Sequence, residues 1–212
     1  MVPSVFRFWG AQPGWDAAWP WLLGILIAAY LLGSVPFGLI ISKAMGLGDV
    51  RKIGSGNIGA TNVLRTGSKK AALATLLLDG GKGAVAVLLA RYLYGDTAAQ
   101  VAGLGAFIGH IFPLYLGFKG GKGVAVFLGI LLAIHPLTGL ATCLTWLATA
   151  LTFRMSSLAA LISAISAPLW LWAFDLTTTT GLGLLLAALI WLRHWANIKR
   201  IASGSEPKIG QK

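Results

Sequence analysis

Long apolar runs separated by short polar connectors organise the chain from residue 21 onward. A membrane-spanning helix needs roughly 20 consecutive apolar residues, and residues 21–41, 71–94 and 99–116 meet that need. The second run is interrupted by Asp79-Gly80-Gly81-Lys82-Gly83. Its first part, residues 71–82, fits either a span or a segment lying along the inner surface. The run 122–151 is too long for one comfortable span. His135-Pro136 offers its break, because proline removes a backbone donor and clashes with the preceding turn. Residues 157–174 and 181–195 complete the set. The pattern predicts an all-α polytopic membrane bundle of about seven helices, one domain over residues 1–212.

Charge fixes the orientation. Cytoplasmic loops collect Lys and Arg. Residues 42–70 carry Lys43, Arg51, Lys52, Arg65, Lys69 and Lys70, which places them inside and the N-terminus outside. Alternation then puts Arg154 and the tail, with Arg193, Lys199, Arg200, Lys208 and Lys212, inside. Asp16, Asp96, His135 and Asp175 fall outside. Leaving 122–151 unbroken would put Arg154 and the basic tail on opposite faces, so the charges favour the split. Trp15, Trp19 and Trp21 at one interface, and Trp191 and Trp195 at the other, suit aromatic belts. No small-residue cleavage site follows the first apolar run, which therefore reads as a retained span and not a signal peptide.

Composition agrees: 57% of residues are hydrophobic and 11% charged, against about 25% charged in soluble domains. Lys and Arg number 17, Asp and Glu 6, for a net charge of +11. In a soluble protein that excess would suggest nucleic acid. Here the basic residues lie between apolar runs, so anionic headgroups or phosphorylated substrates are the expected partners, and no nucleic acid. A lone cysteine, Cys143, forms neither an internal disulfide nor a cysteine-based zinc site.

Candidate chemistry gathers at the inside connectors. Gly54-Ser55-Gly56-Asn57-Ile58-Gly59-Ala60-Thr61-Asn62-Val63-Leu64-Arg65 combines small residues, which let a backbone approach a ligand, with neutral donors and a planar cation suited to phosphate. The competing reading is a flexible linker. Gly120-Gly121-Lys122-Gly123 opens the fourth span, where free helix N–H groups and a lysine would hold an anion; the alternative is a positively charged anchor on a glycine turn. It lacks the spacing of a Walker loop. The segment at Gly80 repeats the tetrapeptide, GGKGAVAV against GGKGVAVF. Lys82 there either pairs with Asp79 or faces a polar cavity. If the last span continues, His194 and Asn197 share a face. Ser157 reads either as a site residue or as the cap of its helix. His110, within the third span, reads as a structural hydrogen-bonder.

Absences narrow the chemistry. No carboxylate cluster supports a CDP-alcohol phosphotransferase. No histidine is followed five residues on by aspartate, so the His-x4-Asp acyltransferase signature is missing, and no His/Cys set suggests zinc or haem.

Taken together, GSVPFG at 33–38, GSGNIGATNVLR, HIFPLYLGFKGGKGVAV and RHWANIKRIASGSEPKIG, in this order and spacing, resemble the PlsY family of membrane acyl-phosphate:glycerol-3-phosphate acyltransferases over residues 33–210. Val126 departs from the family's usual threonine, and Ile201 from its leucine. The resemblance implies acyl transfer from acyl phosphate to glycerol 3-phosphate in the bacterial inner membrane, at the first step of phospholipid synthesis. The site would face the cytoplasm, with no acyl-CoA, cofactor or metal required. Implied partners are the two substrates, membrane lipids and the enzyme supplying acyl phosphate. Ser55, Arg65, Lys122, Ser157, His194 and Asn197 are then the expected catalytic residues. Gly54, Gly56, Asn57, Thr61, Asn62, Lys82, Gly120, Gly121, Gly123 and Glu206 are expected to bind substrate. The alternative is a transporter of an organic phosphate or lipid, since glycine-broken helices are typical of transporters.

Overall fold

The structure, a computed structural model, describes residues 15–210 and is built from helices. In chain order these are α1 (Trp15–Gly33), α2 (Phe37–Ala44), α3 (Ala60–Leu64), α4 (Lys69–Tyr94), α5 (Asp96–Ile111), α6 (Val124–Ile134), α7 (Pro136–Phe153), α8 (Ser156–Ala173), α9 (Thr177–Arg193) and α10 (Trp195–Ala202). Large apolar side chains cover the outside as well as the core: Leu77, Leu151, Leu169, Trp172 and Leu192 are all more than 60% exposed. A helix apolar on every side belongs in lipid, where its backbone groups are satisfied internally.

The breaks have local causes. Pro36 separates α1 from α2. Ser68 caps α4 by accepting from the Ala71 N–H at 3.2 Å, and α4 then runs unbroken for 26 residues. Residues 71–82 are therefore part of one continuous helix. His135 ends α6 and starts α7, accepting the Thr138 N–H, with Pro136 in the first turn where its missing N–H costs nothing. The break expected at His135-Pro136 forms.

Among the described residues, five helical segments are long and apolar enough to cross a membrane, or six if α9 and α10, bent by 64°, count as one. The expected fourth span, beginning at Lys122, falls short. Glycines 120–123 stay in coil, and α6 has only 11 residues, about 16 Å at the usual rise against a hydrocarbon core of about 30 Å. The last helix also fails to continue straight, since it breaks at His194. Met155, not Ser157, is the N-cap of α8. Trp19, Trp21, Trp191 and Trp195, expected in aromatic belts, are all exposed on the outside of the bundle. The side chains of Trp15 and Asp16, like residue Lys212, lie outside those described.

Glycines set a close contact between α4 and α6. A Cβ on Gly129 of α6 would stand 2.1 Å from the Gly80 carbonyl oxygen of α4, so the two backbones touch as small residues permit in membrane bundles. Arg91 near the end of α4 donates to the Ala133 and Ile134 carbonyls at 2.7 and 3.0 Å, satisfying the open end of α6. Phe107, Ile111, Phe127, Ile130 and Leu131 fill the core beside this seam. The short α6 is thereby held at its middle and at its C-terminal end.

Candidate active site

Three connectors converge on the coil of residues 120–123. The first, residues 54–65, is folded around Asn62. The Asn62 Oδ1 accepts from the Ser55 N–H at 3.1 Å and lies 3.3 Å from its hydroxyl. Its Nδ2 donates toward the carbonyls of Val50, Ile53 and Asn57 at 2.8, 3.0 and 2.7 Å. Asn57 accepts the Gly59 N–H at 3.0 Å, an Asx turn. Gly54, at φ +53, lies under the Arg65 guanidinium: a Cβ there would meet Nη1 at 2.4 Å. Thr61 ties this loop to α8 through the Ser156 hydroxyl at 3.2 Å.

The second connector leads into α6. Its Gly121 N–H donates to the His110 carbonyl at 3.1 Å. Arg193 donates to the Gly121 and Gly120 carbonyls at 3.3 and 3.1 Å. Gly123 caps the helix at φ +86, with a Cβ there held 2.4 Å from the Phe107 ring; a side chain would be excluded twice over. No side chain caps α6, so its first-turn N–H groups are open to an anion.

The third is the C-terminal segment. The Ile209 N–H donates to the Arg154 carbonyl at 2.6 Å, folding the tail back over the site. That return places Glu206 at the centre of a chain. Lys122 Nζ donates to Asn197 Oδ1 at 2.6 Å. Asn197 Nδ2 and the Ser157 hydroxyl both donate to Glu206 Oε1 at 2.6 Å. Arg200 Nε donates to Glu206 Oε2 at 2.7 Å. Burial disfavours the Glu206 charge, but the bonds from Ser157, Asn197 and Arg200 outweigh it and hold its carboxyl below the usual range. Burial lowers the Lys122 ammonium to about 8; Glu206 opposes that shift, and Arg200, Arg193 and Arg65 add to it. His194 Nδ1 lies 2.8 Å from the Ile190 carbonyl. A carbonyl only accepts, so Nδ1 carries the proton and Nε2 is left as an acceptor in the neutral ring.

A cavity of about 850 Å³ joins these parts. Gly54, Ser55, Asn57, Thr61, Asn62, Arg65, Lys122, Gly123, Ser157, His194, Asn197 and Glu206 line it. The apolar side chains of Leu64, Leu73, Leu76, Leu128 and Trp146 line it as well. Gly56, Gly120 and Gly121 do not line the cavity; they shape the loops behind it. Lys82 is placed elsewhere. Its ammonium lies 2.8 Å from Asp79 and donates to the Val35 carbonyl at 2.7 Å, with the side chain 1% exposed. Of its two readings the buried pairing is the one that forms, because α4 is a continuous helix there and its Lys82 face turns toward α1 and α2.

The profile of the family described as Glycerol-3-phosphate acyltransferase matches residues 23–204. The chain belongs to the glycerol-3-phosphate acyltransferase family. The acyltransferase is 60% identical to a "Glycerol-3-phosphate acyltransferase" of Cereibacter sphaeroides over 90% of each chain. It is 59% identical to that of Dinoroseobacter shibae over 91% of this chain and 96% of the other. Among solved structures it is similar to PlsY, described as an integral membrane glycerol 3-phosphate acyltransferase, in its glycerol 3-phosphate form. That match has a TM-score of 0.84 and 40% identity over 89% of this chain and 96% of that one. The lysophosphatidic acid form gives 0.82 and 38%, over 89% and 95%. The acyltransferase is thus a multi-pass integral membrane enzyme of phospholipid synthesis.

Several cavity residues of the acyltransferase escaped the sequence reading. Arg193 and Arg200 flank His194 and Asn197 in the basic tail, and both line the cavity. Their spacing around two recognised site residues was the available signal. Asp79 and His110 also line it, and no linear spacing links them. Val126 is fully buried and its Cγ1 would meet a Cβ on Gly83 at 2.9 Å. Position 126 therefore faces α4 and not the cavity, so the acyltransferase loses no cavity hydroxyl by having valine there.

Proposed function

We propose that the enzyme transfers an acyl group from acyl phosphate to the 1-hydroxyl of glycerol 3-phosphate, at the cytoplasmic face of a bacterial inner membrane. The products are 1-acylglycerol 3-phosphate and phosphate. One observation carries this reading: Arg65, Lys122, Arg193 and Arg200, from three separated segments, line one cavity together with the apolar Leu64, Leu73, Leu76, Leu128 and Trp146. Two phosphorylated molecules need several cations, and a fatty chain needs an apolar wall. The related PlsY structures are described as glycerol 3-phosphate and lysophosphatidic acid forms, the acceptor and product this reading requires.

In the proposed reaction the glycerol hydroxyl attacks the acyl carbonyl, its O–C bond forms, and the bond from the carbonyl to the phosphate oxygen breaks. The hydroxyl proton leaves to His194 Nε2 or to the departing phosphate. Acyl phosphate is already activated, so charge stabilisation is the main task, and preorganised donors supply it best. Lys122 and Gly123 with the open start of α6 hold the acyl phosphate, and the loop from Ser55 to Arg65 holds glycerol 3-phosphate. Ser157 and Asn197, both fixed by Glu206, orient the reacting groups. The acyl chain lies along Leu73, Leu76 and Leu128 toward lipid.

The test is to incubate purified protein with acyl phosphate and labelled glycerol 3-phosphate and to look for labelled lysophosphatidate. Lys122→Ala should lose roughly 100-fold or more in turnover, as removal of one oxyanion-hole donor does. Near-normal turnover would remove Lys122 from the mechanism. Uptake of label into sealed vesicles without product would overturn the enzyme reading in favour of transport.

A further inference from the structure

The charged residues of α4 are absorbed by neither proposed substrate site. Asp79 and Lys82 form an ion pair with side chains 2% and 1% exposed, and His110 of α5, 4% exposed, faces the same carboxylate. Burying such groups costs several kcal/mol per ion, and apolar replacements of similar volume are often as stable or more so. Stability alone does not account for them.

Their surroundings do. We propose that Asp79, Lys82 and His110 are positioning residues: a buried polar chain that sets the seat of the Gly120–Gly123 coil and through it the placement of Lys122. At one end Lys82 grips the Val35 carbonyl at 2.7 Å, in the break between α1 and α2. In the middle Asp79 Oδ1 lies 2.8 Å from Lys82 Nζ and 3.7 Å from His110 Nδ1. At the other end the coil is moulded on His110. A Cβ on Gly121 would sit 2.1 Å from His110 Nε2, and one on Gly120 would sit 2.2 Å from the His110 carbonyl oxygen. That same carbonyl accepts the Gly121 N–H. A shift of the ring is therefore a shift of the residue next to Lys122. The chain has one loose link: His110 Nδ1 is buried and without a hydrogen-bond partner, 3.7 Å from the Asp79 carboxylate, and both residues line the cavity.

The inference rests on the reading that Lys122 holds a substrate phosphate. Its test compares wild type with Asp79→Asn, His110→Ala, Gly121→Ala and the double variant His110→Ala/Gly121→Ala. Initial rates are measured while each substrate is varied in turn. KM does not depend on how much of a preparation is folded, so it separates positioning from mere stability. The three single variants should raise KM for one of the two phosphorylated substrates by roughly 10–100-fold, the order that one hydrogen bond to a charged group contributes. The other KM should stay within about twofold. In the double variant the added methyl occupies the space the ring leaves, so its KM should return toward wild type from the Gly121→Ala value. Unchanged KM values with only a lower maximal rate would overturn the proposal, as would a double variant no better than Gly121→Ala. Wild-type protein that forms no lysophosphatidate would instead count against acyl transfer itself, a result read before any variant is compared.

Discussion

Lys122 carries the sharpest residue-scale consequence. Burial lowers its ammonium to about 8, and an anion is held only by the protonated form. For the free enzyme the sign follows directly: kcat/KM should be level below that pH and fall as pH rises through it. Lys122→Arg, whose guanidinium stays charged, should keep whatever activity it has to higher pH. A kcat/KM profile flat to pH values well above the lysine's would show that its charge is not used. Asn62 makes the complementary case. It was expected to bind substrate, and it does line the cavity, but its amide is consumed by Ser55 and three loop carbonyls. Asn62→Ala leaves several of these groups unpaired, at about 1–3 kcal/mol each where they are buried. It should lower thermal stability and raise the KM for glycerol 3-phosphate together; a variant with normal Tm and normal KM would contradict that.

At the scale of elements, one tetrapeptide adopts two backbones. Gly80-Gly81-Lys82-Gly83 is helical inside α4, and Gly120-Gly121-Lys122-Gly123 is coil with Gly123 at φ +86. Glycine permits both, and neighbours choose. The first copy packs Gly80 and Gly83 against α6, and the second is pinned by the His110 carbonyl and Arg193. The seam between α4 and α6 makes its own prediction. Gly129→Leu would drive a side chain into the Gly80 backbone, and overpacking of a tight contact costs about 1–3 kcal/mol or more. The variant should lose thermal stability and tilt α6, lowering turnover; unaltered Tm would mean the helices are not so close. The C-terminal segment matters in the same way. It contributes Glu206, which is reached by Ser157 from α8 and by Asn197 and Arg200 from α10.

For the whole molecule the open matter is which face looks inward. The basic residues of the 42–70 connector, Arg154 and the tail all belong to one side by the positive-inside rule, and that side is the one the cavity opens from. In a Cys143→Ser background, cysteine at Lys119 should react with a membrane-impermeant thiol reagent only after the cytoplasmic side is exposed. Cysteine at Asp175 should react from outside. The reverse pattern would invert the topology and sink a cytoplasmic site.

Much of this protein was settled by its sequence. Helix-length apolar runs with few charges can satisfy their backbones only as membrane helices, so fold class and most helix positions were legible, down to the break at His135-Pro136. The four motifs identified the family. Twelve of the expected site residues line the cavity, since local motifs keep their polar groups at connectors whatever the packing. What sequence could not decide was long-range: that α6 is too short to span alone, that Lys82 turns to Asp79 and Val35, that Arg193 braces a loop 72 residues away, and that Asp79 meets His110. Each depends on which helix faces which, and hydropathy carries no record of facing in a bundle whose outer surface is as apolar as its core.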